Sequence, residues 1–88
     1  MRRIKLWLSR RAAVRNMNRF KKTLDTWMSG KIPKYMDSQD VLECYTIYLL
    51  FQNGTPVITY NLKLPLILPM YGFKLIPRSN GIGWNVVA

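Results

Sequence analysis

Eighty-eight residues with 14 Lys and Arg against four acids, a formal net charge of +10, describe one small basic domain with a thin core. The chain has no histidine and a single cysteine, which excludes an intrachain disulfide and any zinc site, Cys-His nucleophile or His general base built within it. A hydrophobic content of 49%, including three Trp, five Tyr and three Phe, excludes a disordered tail.

Residues 1–8 (MRRIKLWL) alternate Ile4, Leu6 and Leu8 against Arg3, Lys5 and Trp7; a short strand, an extended arm and an earlier turn of the helix all fit, and they are taken as a basic arm ahead of a single domain at 9–88. Arms of this composition reach into a nucleic-acid groove or along a neighbouring subunit. The opening twenty residues are arginine-rich and acid-free, the composition of a mitochondrial presequence. They are either an uncleaved targeting helix or an ordinary basic amphipath, the second being preferred, so the expected location is intracellular, in cytoplasm or mitochondrion. A lone cysteine adds weak support for a reducing compartment.

The clearest periodicity predicts a helix over 9–29. Advancing 100° per residue places Ala13, Val14, Met17, Phe20, Leu24, Trp27 and Met28 on one side. Arg11, Arg15, Arg19 and Lys22 follow at i, i+4, i+8 and i+11 as an opposite stripe. Ser9 is a candidate N-cap, with Ser29, Gly30 and Pro33 as the stop. Like charges at i, i+4 repel by about a few tenths of a kcal/mol per pair, so helix energetics alone do not ask for such a stripe. The bland explanation is a solvated face that happens to be basic, but solvated helices ordinarily mix signs. Charge is also uneven along the chain: residues 1–40 hold eleven cations against three acids, a net +8, and residues 41–88 three against one, a net +2.

Residues 31–36 form a proline-containing connector with an exposed Tyr35. Asp37 with Asp40 three residues on has the form of a capping box, with Glu43 in the first turn. Two outcomes compete beyond it. A helix over 38–52 would end at Asn53-Gly54; alternatively, a helical turn at 38–43 leads into a strand at 44–52, with Asn53-Gly54 as a hairpin turn. The β-branched and aromatic run CYTIYLLF favours the strand. A second strand at 56–64 alternates Ile58, Tyr60, Leu62 and Leu64 against Val57, Thr59, Asn61 and Lys63. Pro65 and Pro69 make 64–69 an edge or crossing segment. Strands at 70–76 and 82–87 flank Asn80-Gly81, a second hairpin signal, with Lys74 and Arg78 near its tip. The expected fold is α+β, a basic helix on a small antiparallel sheet. No apolar run reaches the roughly 18 residues of a spanning helix.

Chemistry-bearing constellations are few. Asp37, Asp40 and Glu43 recur every third residue, but on a helix they fan over about 120°, and capping explains them better than magnesium. Gly81-Ile82-Gly83 is a lone GxG in a turn, not a phosphate loop. Cys44 has the setting of a small buried hydrophobe. Trp7, Trp27 and Trp84 suit core or interface anchors better than base-stacking platforms; only Tyr71 and Phe73 beside Lys74 approximate an aromatic set among cations. No enzyme and no cofactor are expected.

The basic stripe is the exception, because aligned cations neutralise phosphates and release counterions without reading bases. Arg2, Arg3, Lys5, Arg10, Arg11, Arg15, Arg19, Lys22, Lys74 and Arg78 are the candidate nucleic-acid contacts. The expected function is a structural component of a ribonucleoprotein such as a ribosome, binding RNA ahead of DNA among protein neighbours. Two alternatives share these residues: a peripheral membrane or viral accessory protein laying the amphipathic helix on an anionic surface, and a winged-helix-like DNA-binding module, which requires a helix at 38–52.

Overall fold

The computed structural model describes residues 2–88, with side chains from residue 11 onward. The elements run α1 (Arg2–Met28), α2 (Ser38–Gln52), β1 (Val57–Thr59), a one-turn helix α3 (Leu64–Ile67) continuing into a 3₁₀ turn (Leu68–Tyr71), β2 (Lys74–Pro77) and β3 (Trp84–Val87). The strands form one antiparallel sheet in the order β1-β3-β2. The architecture is α+β, as expected.

Helix α1 begins at Arg2 rather than at residue 9. Residues 2–8, expected as an arm, are instead the first turns of this helix, and Ser9 lies inside it and is not its N-cap; the side chains of residues 1–10 are outside the described residues. Its C-terminal stop is the one expected: Gly30 takes φ +105, its N–H bonding Trp27 O at 3.0 Å and that of Lys31 bonding Thr26 O at 3.4 Å. Of the apolar face, Phe20, Leu24 and Trp27 are buried and Met17 packs at the core margin. Ala13, Val14 and Met28 are exposed instead.

The strand expected at 44–52 is a correction: residues 38–52 form α2, the helical alternative. The capping box is complete, the Asp40 N–H donating to Asp37 Oδ1 at 2.9 Å and the Asp37 N–H to Asp40 Oδ2 at 3.0 Å. Burial of Asp40, Val41, Cys44 and Ile47 follows helical spacing, and α2 packs against both α1 and β1. Thr46, β-branched and exposed, turns its hydroxyl back to Leu42 O at 2.9 Å, so it disturbs no packing. Asn53-Gly54 is therefore a helix stop. A type I′ turn needs positive φ at both residues, whereas Asn53 has φ −88 and only Gly54 is positive, at +69.

The remaining strands are shorter than predicted, and their faces are informative. Val57 and Thr59 point inward, while Ile58, Tyr60 and Leu62 are exposed. Leu64, at the start of α3, is fully buried, so the predicted 56–64 alternation ends before it. The proline-bracketed stretch becomes α3 and the 3₁₀ turn, Pro occupying the first turn of each, where no N–H is needed. Gly72 closes that turn at φ +85; a Cβ there would collide with the side chain of Asn16, so α1 and the turn meet backbone to side chain. β2 and β3 form the expected hairpin, but through a six-residue loop at 78–83 and not a two-residue Asn-Gly turn: Gly81 alone of that pair has positive φ, at +76, and the Arg78 N–H donates to Gly83 O at 3.2 Å.

The core centres on Phe20, whose ring meets Tyr71 at 5.0 Å, Phe73 at 5.3 Å and Tyr48 at 6.2 Å between centroids. Cys44 lies fully within it, and burial, followed by the nearby Glu43 and Asp40 charges, pushes its thiol up to about 12. Native protein at mildly alkaline pH is expected to leave Cys44 unmodified by a thiol-disulfide reagent, with full reaction on adding denaturant. Rapid labelling of the native protein would contradict that burial.

Candidate nucleic-acid interface

The outward stripe of α1 is narrower than its sequence spacing suggests. Arg11, Arg15 and Lys22 are exposed and fall within about 40° of arc, on the side away from Phe20, Leu24 and Trp27. Arg19, at the margin of the stripe, turns toward the fold instead. Its Nη2 donates to Met70 O, and its guanidinium sits 5.3 Å from the centroid of the Tyr71 ring. One of the four predicted stripe cations thus clamps the 3₁₀ turn to α1. Lys21 and Asp25 pair at 2.8 Å one turn apart, which occupies the acid nearest the stripe and raises the lysine's pKa through that hydrogen bond. Arg2, Arg3, Lys5 and Arg10 lie outside the described side chains.

The two remaining candidates separate. Arg78 opens the loop at 78–83, whereas Lys74 pairs with Val87 at the opposite end of β2 and is not at the tip. Tyr71 and Phe73, the aromatic pair proposed beside Lys74, belong to the core: Phe73 is buried and stacks with Phe20 and Phe51, while Tyr71 is half-buried between Phe20 and Trp27. Both also border an open groove of about 780 Å³, which Ala13, Asn16, Met17, Phe51, Gly72 and Lys74 line with them.

The acids at 37, 40 and 43 do more than cap. Asn61 Nδ2 donates to Asp40 Oδ1 at 2.7 Å and Glu43 Oε2 at 2.8 Å; Thr59 Oγ1 donates to Glu43 Oε1 at 3.1 Å; Lys63 Nζ reaches Asp40 Oδ2 at 2.9 Å and Asp37 Oδ2 at 3.7 Å. Burial alone would raise the Asp40 pKa, but the bonds from Asn61, Lys63 and the Asp37 N–H outweigh it, and the carboxyl lies below its ordinary value. The bond to Asp40 in turn raises the pKa of Lys63. This cluster ties the start of α2 to the segment after β1, a long-range role that spacing along one helix does not reveal. The signal was present in the polar face Thr59, Asn61, Lys63 of the alternating stretch. Among the described residues no group of three His, Cys, Asp or Glu is placed to hold a metal ion, and no helix is long and apolar enough to cross a membrane.

Compared with known proteins, the chain matches no family model, and no curated protein or solved structure resembles it at a significant level.

Proposed function

We propose that this protein is a non-catalytic nucleic-acid-binding protein, a structural component of a ribonucleoprotein such as a ribosome, that contacts phosphates through α1. The observation that carries this is the division of one helix: Phe20, Leu24 and Trp27 fasten it to the core, and Arg11, Arg15 and Lys22 stand together on the opposite side. Aligned cations neutralise backbone phosphates and release their counterions. Arginine suits the contact because its planar fork accepts bidentate phosphate geometry. RNA is kept ahead of DNA because, although α2 supplies the helix at 38–52 that a winged-helix-like module requires, the usual place of its groove-reading helix is not filled by one. The segment between β1 and β2, the place for such a helix in a winged-helix arrangement, holds only two single turns, and four helical residues span about 6 Å against a major groove about 12 Å wide.

The membrane alternative needs Phe20, Leu24, Trp27 and Met28 against lipid; Met28 is exposed, but the other three are occupied within the fold. Filter binding of purified protein to a short single-stranded RNA across a salt series tests the proposal. Three phosphate contacts give a log-log slope of about −2 or steeper. The double variant Arg15→Gln/Lys22→Gln should flatten it by about 1.4. Affinity that does not change with salt would remove the idea, and retention on anionic vesicles that excess RNA does not compete would transfer the helix to a membrane surface.

A further inference from the structure

We propose that Tyr60, held at the foot of the β2–β3 loop beside Arg78, is a stacking platform for one unpaired base of a single-stranded nucleic acid. This rests on the phosphate-binding role of α1 and adds to it a second contact of different chemistry on another part of the fold.

Three observations fix the ring. Thr59 and Asn61, its neighbours in the chain, are both tied inward to Glu43, and Asn61 also to Asp40. β1 ends at Thr59, and Tyr60, just beyond it between these two inward-tied neighbours, is exposed. Gly83, at φ +77, lies against the Cδ1–Cε1 side of the ring: a Cβ there would stand 2.6 Å from Tyr60 Cδ1 and 2.8 Å from Thr59 O. Arg78 Nη1 donates to Tyr60 Oη at 3.0 Å. The ring is therefore positioned by its neighbours, by a close backbone and by a charged hydrogen bond, yet remains 58% exposed. An aromatic side chain ordered before binding loses little entropy when a base stacks on it.

The surroundings select the occupant. Leu62, Pro77, Ile82 and Trp84 line an open cleft of about 470 Å³ beside the ring, wide enough for a flat heterocycle. A guanidinium carries five donors and one goes to Tyr60 Oη, so Arg78 retains capacity for the phosphate attached to a stacked base. All four carboxylates of the chain are engaged elsewhere, Asp25 with Lys21 and Asp37, Asp40 and Glu43 with Asn61, Lys63 and Thr59. The cation beside the cleft thus faces its partner without competition, and an anionic chain bearing planar groups fits both features.

The test compares a labelled 12-nucleotide single strand with a duplex of equal phosphate number by fluorescence anisotropy, the probe length chosen to cover a site of about 4–16 nucleotides. Tyr60→Leu should weaken single-strand binding about tenfold with little effect on the duplex, while Tyr60→Phe stays within about twofold of wild type. Arg15→Gln/Lys22→Gln should weaken both probes together. Cross-linking of a 4-thiouridine-substituted strand to the unaltered protein is expected to map to the peptide carrying Tyr60 or Trp84, which covers the case in which the leucine variant does not fold. Unchanged single-strand preference in a folded Tyr60→Leu protein, or adducts confined to α1, would overturn the platform and leave the phosphate contact standing. Loss of binding to both probes in the wild type would remove the α1 proposal and the platform with it. Self-association abolished by Ile82→Asp would instead assign the cleft to a second copy of the chain and overturn the base-binding proposal.

Discussion

Replacing Phe20 with alanine is expected to cost about 3–5 kcal/mol of folding stability, the usual range for deleting a fully buried phenyl ring. The ring has no surface exposure and meets aromatic partners from three separate stretches: Tyr48 of α2, Tyr71 of the 3₁₀ turn and Phe73 before β2. Its loss leaves a cavity that Tyr71 and Phe73 cannot close without abandoning their edge-on contacts with Trp27 and Phe51. A domain of this size has about 5–15 kcal/mol in total, so chemical denaturation of the alanine variant should show a transition shifted far toward zero denaturant or lost altogether. Phe20→Leu, which preserves most of the volume, should cost much less. A midpoint within error of wild type for Phe20→Ala would mean that α1 is not fastened to the fold through this residue, and the outward stripe would then have no fixed direction.

Removing the Asp40 carboxylate is expected to cost about 2–3 kcal/mol at neutral pH, because the substitution deletes a helix cap together with charge-assisted bonds to Asn61 and Lys63. The pH dependence follows from the direction of its shift. A carboxyl whose folded pKa is depressed contributes stability that is present above the unfolded value, about 3.9, and is lost as pH falls through the folded value. Wild type and Asp40→Ala should therefore differ most at neutral pH and converge in strong acid, a pattern visible in denaturation midpoints measured across an acid series. A constant gap down to the lowest pH would show that the side chain acts by packing and not through its charge. Because the same cluster ties down both neighbours of Tyr60, Asp40→Ala should also reduce single-strand affinity in protein that remains folded.

What could be read from residue order was largely what neighbours in sequence decide. The basic helix, the capping box at Asp37 and Asp40 and the stop at Gly30 depend on contacts within a few positions, and all are present. The run at 44–52 was misjudged because Tyr, Thr, Ile and Phe carry β propensity, and tertiary burial against α1 overrode it. Asn-Gly likewise serves two geometries, and φ at Asn53 distinguishes them only in the folded chain. The candidate interface was half legible. Arg11, Arg15 and Lys22 could be placed by angle alone, whereas the turn of Arg19 toward Met70 and Tyr71 depends on a segment about fifty residues away. The same holds for Tyr60, whose two neighbours are tied to carboxylates on α2.

The order of the sheet, with β3 between β1 and β2, has a consequence for the chain as it is made. During synthesis β1 and β2 emerge before the strand that bridges them, and each must wait with unmatched backbone donors and acceptors until residues 84–87 leave the ribosome. Helices α1 and α2 can already pair in that interval, so the nascent molecule passes through a helical half with two dangling β segments. Ile58 and Ile76, which flank Asn85 in the finished ladder, would then be the places where a holding chaperone gains its grip.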